Sequence, residues 1–161
     1  EHMLTQQRDA MATVIYRPSS VYGYNGPGDR QGLITALLNA AYQRRPALVF
    51  GRPASLRDFI LNDDIARFVA NVILAEQPVE HAVFNLVSGA PSSISHIIRE
   101  VETVTRLTVP RSYVWRADNS SDNTFHPSIA PKGLTITPLR EGIGAVSRRL
   151  HRLSIQSPHA P

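Results

Sequence analysis

The sequence predicts an α/β fold with some parallel sheet, and three observations carry that expectation. Short apolar runs alternate along the chain with longer segments whose apolar residues recur every 3.6 positions. No internal repeat is present. The 161 residues, 42% apolar and 19% charged, have the size and composition of one ordinary globular unit with no second autonomous core.

In chain order, Glu1 to Ala10 reads as the end of a helix, and Thr13 to Tyr16 as a short β-rich run that Arg17-Pro18 brings to a stop. Tyr22 to Gly32 is rich in glycine and reads as a loop. Gly26-Pro27-Gly28 with Gly32 only superficially resembles a phosphate-binding G-x-G-x-x-G: the last interval is one residue too long, and a proline stands where an amide should face phosphate. Leu33, Ile34, Leu37, Leu38 and Ala41 form a helical stripe that ends before Pro46, followed by a strand at Ala47 to Phe50 and a turn-rich Gly51 to Ser55.

The stretch from Leu56 to Phe68 is the densest in signals. Phe59 to Leu61 suits a short buried strand, and Asn62, Asp63 and Asp64 supply capping oxygens and negative charge at a helix start. Ile65, Phe68, Val69, Val72 and Ile73 then fall on one face. Ala82 to Val87 is a third strand, expected to be buried on both faces. Ser92 or Ser93 caps the next helix, with Ile94, Ile97, Ile98, Val101 and Val104 as its stripe. Arg111 to Trp115 reads as a strand, and Ala117 to Gly133 as the least regular segment. A last helix opens with Thr137 as N-cap and Pro138 at its first position, buries Leu139, Ile143, Val146 and Leu150, and gives way to a frayed tail from Ser154.

Composition excludes several classes. No apolar run approaches the roughly 18 residues of a membrane span, and the first residues do not form a signal peptide. Zero cysteine excludes a disulfide framework and a thiolate metal site, and makes a cytoplasmic protein the default expectation. The net charge of +4 does not make a nucleic-acid surface, because the arginines are scattered and no aromatic platform interleaves them. Lys132 is the only lysine. The six histidines show no H-E-x-x-H and no i, i+4 pair, so no metal is expected, and His96 is read as a surface or boundary residue. There is no G-x-S-x-G.

Arg17-Pro18-Ser19-Ser20-Val21-Tyr22-Gly23 followed by Arg57-Asp58-Phe59-Ile60-Leu61-Asn62-Asp63-Asp64 resembles the extended short-chain dehydrogenase/reductases, the NAD-dependent sugar epimerase/dehydratase family. There, Arg-Pro-x-Asn-x-Tyr-Gly precedes Arg-Asp-Phe-Ile-x-x-x-Asp, with a helix and a glycine-containing loop between them. The likeness continues through Phe84-Asn85-Leu86-Val87-Ser88-Gly89 and reaches Leu139-Arg140-Glu141-Gly142-Ile143. It implies the C-terminal part of a Rossmann-like enzyme, with the last sheet strands and a small substrate-binding domain. Residues 1–25 and 63–106 would belong to the Rossmann domain, 26–62 and 107–153 to the substrate domain, and 154–161 to the tail.

The resemblance also implies NAD or NADP as cofactor and a small-molecule substrate, a nucleotide sugar. The family's Tyr-x-x-x-Lys pair is not in this chain: the residues four after Tyr16, Tyr22, Tyr24, Tyr42 and Tyr113 are Ser20, Gly26, Gly28, Pro46 and Ala117. Glu1 aligns with a glutamate that often follows the catalytic lysine by one turn, so the chain is expected to begin just after its catalytic base, and no catalytic residue is assigned here. Pro18 and Ser19 correspond to strand-end residues whose backbone lies against the nicotinamide. Ser20 stands where the family usually has a substrate-contacting asparagine, and a serine has shorter reach. Arg57 matches the arginine that grips the nucleotide diphosphate, a task suited to a planar two-pronged donor; on the residues alone it could instead pair with Asp58 or Asp63. Leu48 to Phe50 matches the family's strand beside the nucleotide base, which would put Phe50 against the base, although an aromatic on such a strand is more often core. Arg116 starts an Arg-x-Asp one residue shorter than the Arg-x-x-Asp that holds phosphate and ribose, which weakens a UDP-sugar assignment. Asp64 is read as a helix cap.

The function implied is the substrate-binding portion of an isomerase, lyase or oxidoreductase of this family. The alternatives are an NAD(P)-dependent reductase or dehydratase of a non-sugar small molecule, and a non-catalytic binding module. Strands that would normally extend a larger sheet leave an edge unpaired, so the isolated chain is expected either to expose an unusually apolar surface or to pair with a second copy.

Overall fold

The computed structural model describes residues 13–24, 32–76, 81–114 and 121–156, with side chains as far as residue 152. Glu1 to Ala10, the Gly26-Pro27-Gly28 segment and Arg116 lie outside the described residues. The elements are β1 (Val14–Pro18), β2 (Ser20–Tyr22), α1 (Leu33–Gln43), β3 (Ala47–Phe50), β4 (Leu56–Arg57), β5 (Phe59–Leu61), α2 (Asn62–Ile73), β6 (Ala82–Leu86), β7 (Ser92–Ser93), α3 (Ile94–Thr105), β8 (Arg111–Val114), a 3-10 turn at Pro127–Ile129, and α4 (Leu139–Gln156). The chain is α/β, with strands and helices alternating.

Among the described residues the strands join in four pairs, three of them parallel. β1 runs beside β6 with Val14 opposite Ala82 and Pro18 opposite Leu86. β2 pairs with β5, Ser20 opposite Phe59, and β3 pairs with β8, Phe50 opposite Val114. The antiparallel pair is β4 with β7, where Arg57 faces Ser92. Pro18 does not stop β1 as expected. Ser19 N–H donates to Leu86 O at 3.0 Å, so the position before it turns its missing N–H away from β6 and breaks no ladder bond.

The main core lies where α1, α3 and α4 converge. Ile34, Leu37, Leu38, Ile97, Val101, Ile143 and Val146 are all buried there, at helical spacings that leave each helix's other face to solvent. Each such side chain contributes about 1.5–3 kcal/mol by leaving water. A smaller cluster, Ile60, Phe68 and Leu86, is roofed by Tyr16 and Phe84, with the Phe68 and Phe84 rings edge to face at 5.2 Å.

Other expectations change. β6 is not buried on both faces: Phe84 packs against the Ile60, Phe68 and Leu86 cluster, while Val83, on the opposite face, is 41% exposed. The α2 stripe ends early, leaving Ile73 71% exposed. β2 at Ser20 and β4 at Leu56 are strands that the sequence does not predict, because they are too short to show a period and are held by their partners. Within 121–133, Asn123 bridges Arg57 and a 3-10 turn follows. Helix α4 starts at Leu139 and continues through Gln156, past the expected tail boundary.

Asp63 and Asp64 do stand in the first turn of α2, but the N-cap position falls on Leu61, which makes no side-chain capping hydrogen bond. Buried Asp64 instead accepts from Thr137 N at 2.7 Å and Thr137 Oγ1 at 2.7 Å, and from Arg67 Nη2. The Thr137 hydroxyl therefore serves Asp64 rather than the start of α4. Ser93 caps α3 as expected, accepting from His96 N at 3.1 Å.

Candidate functional site

β3 has a two-residue period. Ala47 and Val49 point into the core, while Leu48 and Phe50, 58% and 39% exposed, point the other way. Their outward face forms one wall of a cleft of about 370 Å³. Ser20 at the start of β2, Arg57 on β4, Phe59 on β5 and Ile94 at the start of α3 complete it, with Leu33 and Ala36 of α1 on the far side. Ser20, Phe50 and Arg57, singled out from separate segments, thus line one cavity. An aromatic on a strand is commonly core, but half-exposed Phe50 faces the cleft. Ile94, Leu33 and Ala36 were read only as core stripe positions; nothing in a helical period distinguishes a residue that lines a cavity from one that fills it.

Among the described residues the lining combines apolar surface with one guanidinium and one hydroxyl. That arrangement suits a ligand with a flat or apolar part and an anionic part. The two carboxylates weighed as partners of Arg57 have other engagements. Asp63 accepts from Arg149 at 3.1 Å and 2.6 Å, and this contact raises the pKa of the arginine. Asp58 is wholly buried and accepts from Ser19 Oγ at 2.6 Å, Ser88 N at 2.9 Å, Ser88 Oγ at 3.0 Å and Gly89 N at 2.7 Å. Sequence reasoning missed this role; its signal was an Asp flanked by strand residues at a place where a strand side chain points inward.

Pro18 is exposed and Ser19 half-buried at the C-terminal end of β1, beside the parallel β6. His96 keeps its boundary position, with Nε2 3.8 Å from Glu100. Among the described residues no three His, Asp or Glu side chains gather to hold a metal, and no helix is long and apolar enough to cross a membrane.

The model of the NAD dependent epimerase/dehydratase family matches residues 1–86, more than half of the chain. The chain belongs to this family. Similar solved structures include UDP-glucuronic acid 4-epimerase from Bacillus cereus in complex with UDP-glucuronic acid and NAD, with 20% identity over 94% of this chain and 50% of that one, TM-score 0.76. MoeE5 in complex with UDP-glucuronic acid and NAD is 25% identical over 88% of this chain and 48% of that one, TM-score 0.74. UDP-glucose 4-epimerase from Thermus thermophilus, in complex with NAD, is 14% identical over 93% of this chain and 50% of that one, TM-score 0.76. This member of the epimerase/dehydratase family therefore spans about half the length of the structures it resembles, and it shares their Rossmann-like fold over that half. Their NAD complexes support NAD as the cofactor of the family. Comparison with curated proteins gives no match.

Proposed function

We propose that this chain is the substrate-binding portion of an NAD(P)-dependent nucleotide-sugar epimerase or dehydratase, and that the cleft receives the nucleoside diphosphate. The convergence of Ser20, Phe50 and Arg57 from three separate strands on one cleft carries this reading. Arg57 would hold the diphosphate through paired charge-assisted hydrogen bonds, with the base against Leu48 and Phe50 and Ser20 toward the sugar. Residues 26–62 and 107–153 would form the substrate domain, and Arg116 would add to its phosphate grip.

The bound cofactor would supply transient hydride transfer. Of the residues here, exposed Pro18 at the end of β1 fits one edge of a nicotinamide, because ligands of parallel sheets lie beyond the carboxyl ends of the strands. Neither the phosphate-cradling glycine loop nor the Tyr-x-x-x-Lys pair is in this sequence, so the reaction is assigned to a longer protein that carries both. Ser20, in place of an asparagine, favours one alternative: a substrate whose non-nucleotide part differs from the usual sugars, or is no sugar at all.

Calorimetric titration of the two-halved protein with UDP, UDP-glucose and UDP-glucuronic acid tests the reading. Micromolar binding of UDP that weakens about tenfold or more on Arg57→Ala is expected, and no binding of any of the three would overturn it. Equal affinity for all three would point to the non-sugar alternative.

A further inference from the structure

Asp58 stands between the cleft residues without entering the cleft. Its carboxylate takes four hydrogen bonds, from Ser19 Oγ, Ser88 N, Ser88 Oγ and Gly89 N. Its backbone takes two more: Asp58 N donates to Asn123 O at 2.8 Å, and Ser20 N donates to Asp58 O at 3.0 Å. One residue so ties together the end of β1, the start of β2, the loop after β6 and the segment at Asn123. The loop is fitted closely enough that a Cβ on Gly89, which has φ +67°, would come within 2.6 Å of Pro127.

Arg57 precedes Asp58 in an extended stretch, where consecutive side chains leave opposite faces. Short pairings hold the Arg57 backbone on both sides, opposite Ser92 of β7 and bridged to Asn123, and Asp58 ties down the residue that follows. We propose that Asp58 is a positioning residue, whose buried carboxylate anchors the strand from below and so aims the Arg57 guanidinium into the cleft while linking it to Ser19 on the cofactor side. The inference rests on the reading of the cleft as a diphosphate site.

The chemistry explains why a carboxylate is needed. All four partners are donors, and an ionised Asp offers acceptors only. Asp58→Asn keeps the shape but turns an NH2 toward two of those donors. Ser88→Ala is milder, since it removes one hydroxyl donor and keeps the amide.

Two readouts in the full protein test the role: UDP affinity by calorimetry, and the order of the Arg57 Nε–Hε group by 15N relaxation without ligand. Asp58→Asn should weaken UDP binding about tenfold, as Arg57→Ala does, and the double variant should be no weaker than Arg57→Ala alone. Ser88→Ala should weaken it about twofold to threefold, and both variants should lower the order of Arg57. If they lower only the melting temperature, leaving affinity and Arg57 order at parental values, Asp58 is structural and the inference fails. If the parent itself binds no UDP, the diphosphate reading fails separately, and Arg57 order alone decides: a fall supports positioning, no change overturns it. Should Asp58→Asn not fold, the same two readouts on Ser88→Ala decide.

Discussion

Arg140 grips Glu100 with two donors at once, Nε 2.6 Å from one carboxylate oxygen and Nη2 2.9 Å from the other. The pair joins α4 to α3 at the edge of the main core, with the carboxylate buried and the guanidinium half in water. The Arg140 hydrogen bonds hold the Glu100 carboxyl below its ordinary value, against the upward push of burial, and the same contact raises the pKa of Arg140. Asp63 and Arg149 repeat the device between α2 and α4.

Because the folded Glu100 pKa is lowered, its contribution to stability is complete above the ordinary value of 4.5 and disappears as pH falls from there through the folded value. Glu100→Gln should therefore lower Tm by roughly 2–5 °C at pH 7. The gap from the parent should close near the acid end, as seen by thermal melts across pH. A gap that stays constant with pH would show that the pair adds nothing through its charge.

Tyr22 and Gly142 make a second test. The Tyr22 ring is in the core, its hydroxyl has no hydrogen-bond partner among the described residues, and burial together with the Asp64 charge pushes its pKa up. A Cβ on Gly142 would overlap that hydroxyl and lie 2.9 Å from the ring carbon bearing it. Gly142→Ala should cost about 1–3 kcal/mol by overpacking. Tyr22→Phe should be neutral or stabilising by up to about 1 kcal/mol and should recover part of the Gly142→Ala loss in urea unfolding.

Asp64 and Thr137 fix the approach to α4. Asp64→Ala leaves the Thr137 N–H without its acceptor and should cost about 1–3 kcal/mol, while Thr137→Val, which removes only the hydroxyl, should cost about 1 kcal/mol. Their effects should couple, because both act on one cluster. Full additivity in denaturant melts would place the two residues in separate roles.

Arg57 carries the functional prediction. In the protein with both halves, Arg57→Ala should raise KM for the nucleotide substrate by about tenfold or more, since losing a hydrogen bond to a charged group costs about 1.5–3 kcal/mol. Arg57→Lys should recover only part, because it keeps the charge and loses the fork. If Tm falls while KM is unchanged, Arg57 serves the fold and the diphosphate belongs elsewhere.

The sequence by itself determined what repeats along the chain. The 3.6-residue stripes of Ile34, Leu37 and Leu38 and of Ile94, Ile97 and Val101 identify helices and their buried faces, because a helix must put its apolar side against something. Capping chemistry located Ser93, and the spaced motifs around Arg17 and Arg57 led to the family that matches residues 1–86. Only the tertiary structure decided which of these segments meet. β2, β4 and β7 are two or three residues long and exist through partners 35 to 39 positions away, too distant for any local pattern to carry. A carboxylate likewise looks the same in sequence whether it caps a helix, pairs with a neighbouring arginine or holds a distant loop. Asp58 next to Arg57, and Asp64 at the start of α2, each take the last course, because burial forces a charged group to collect every donor within reach, and which donors those are is set by the fold.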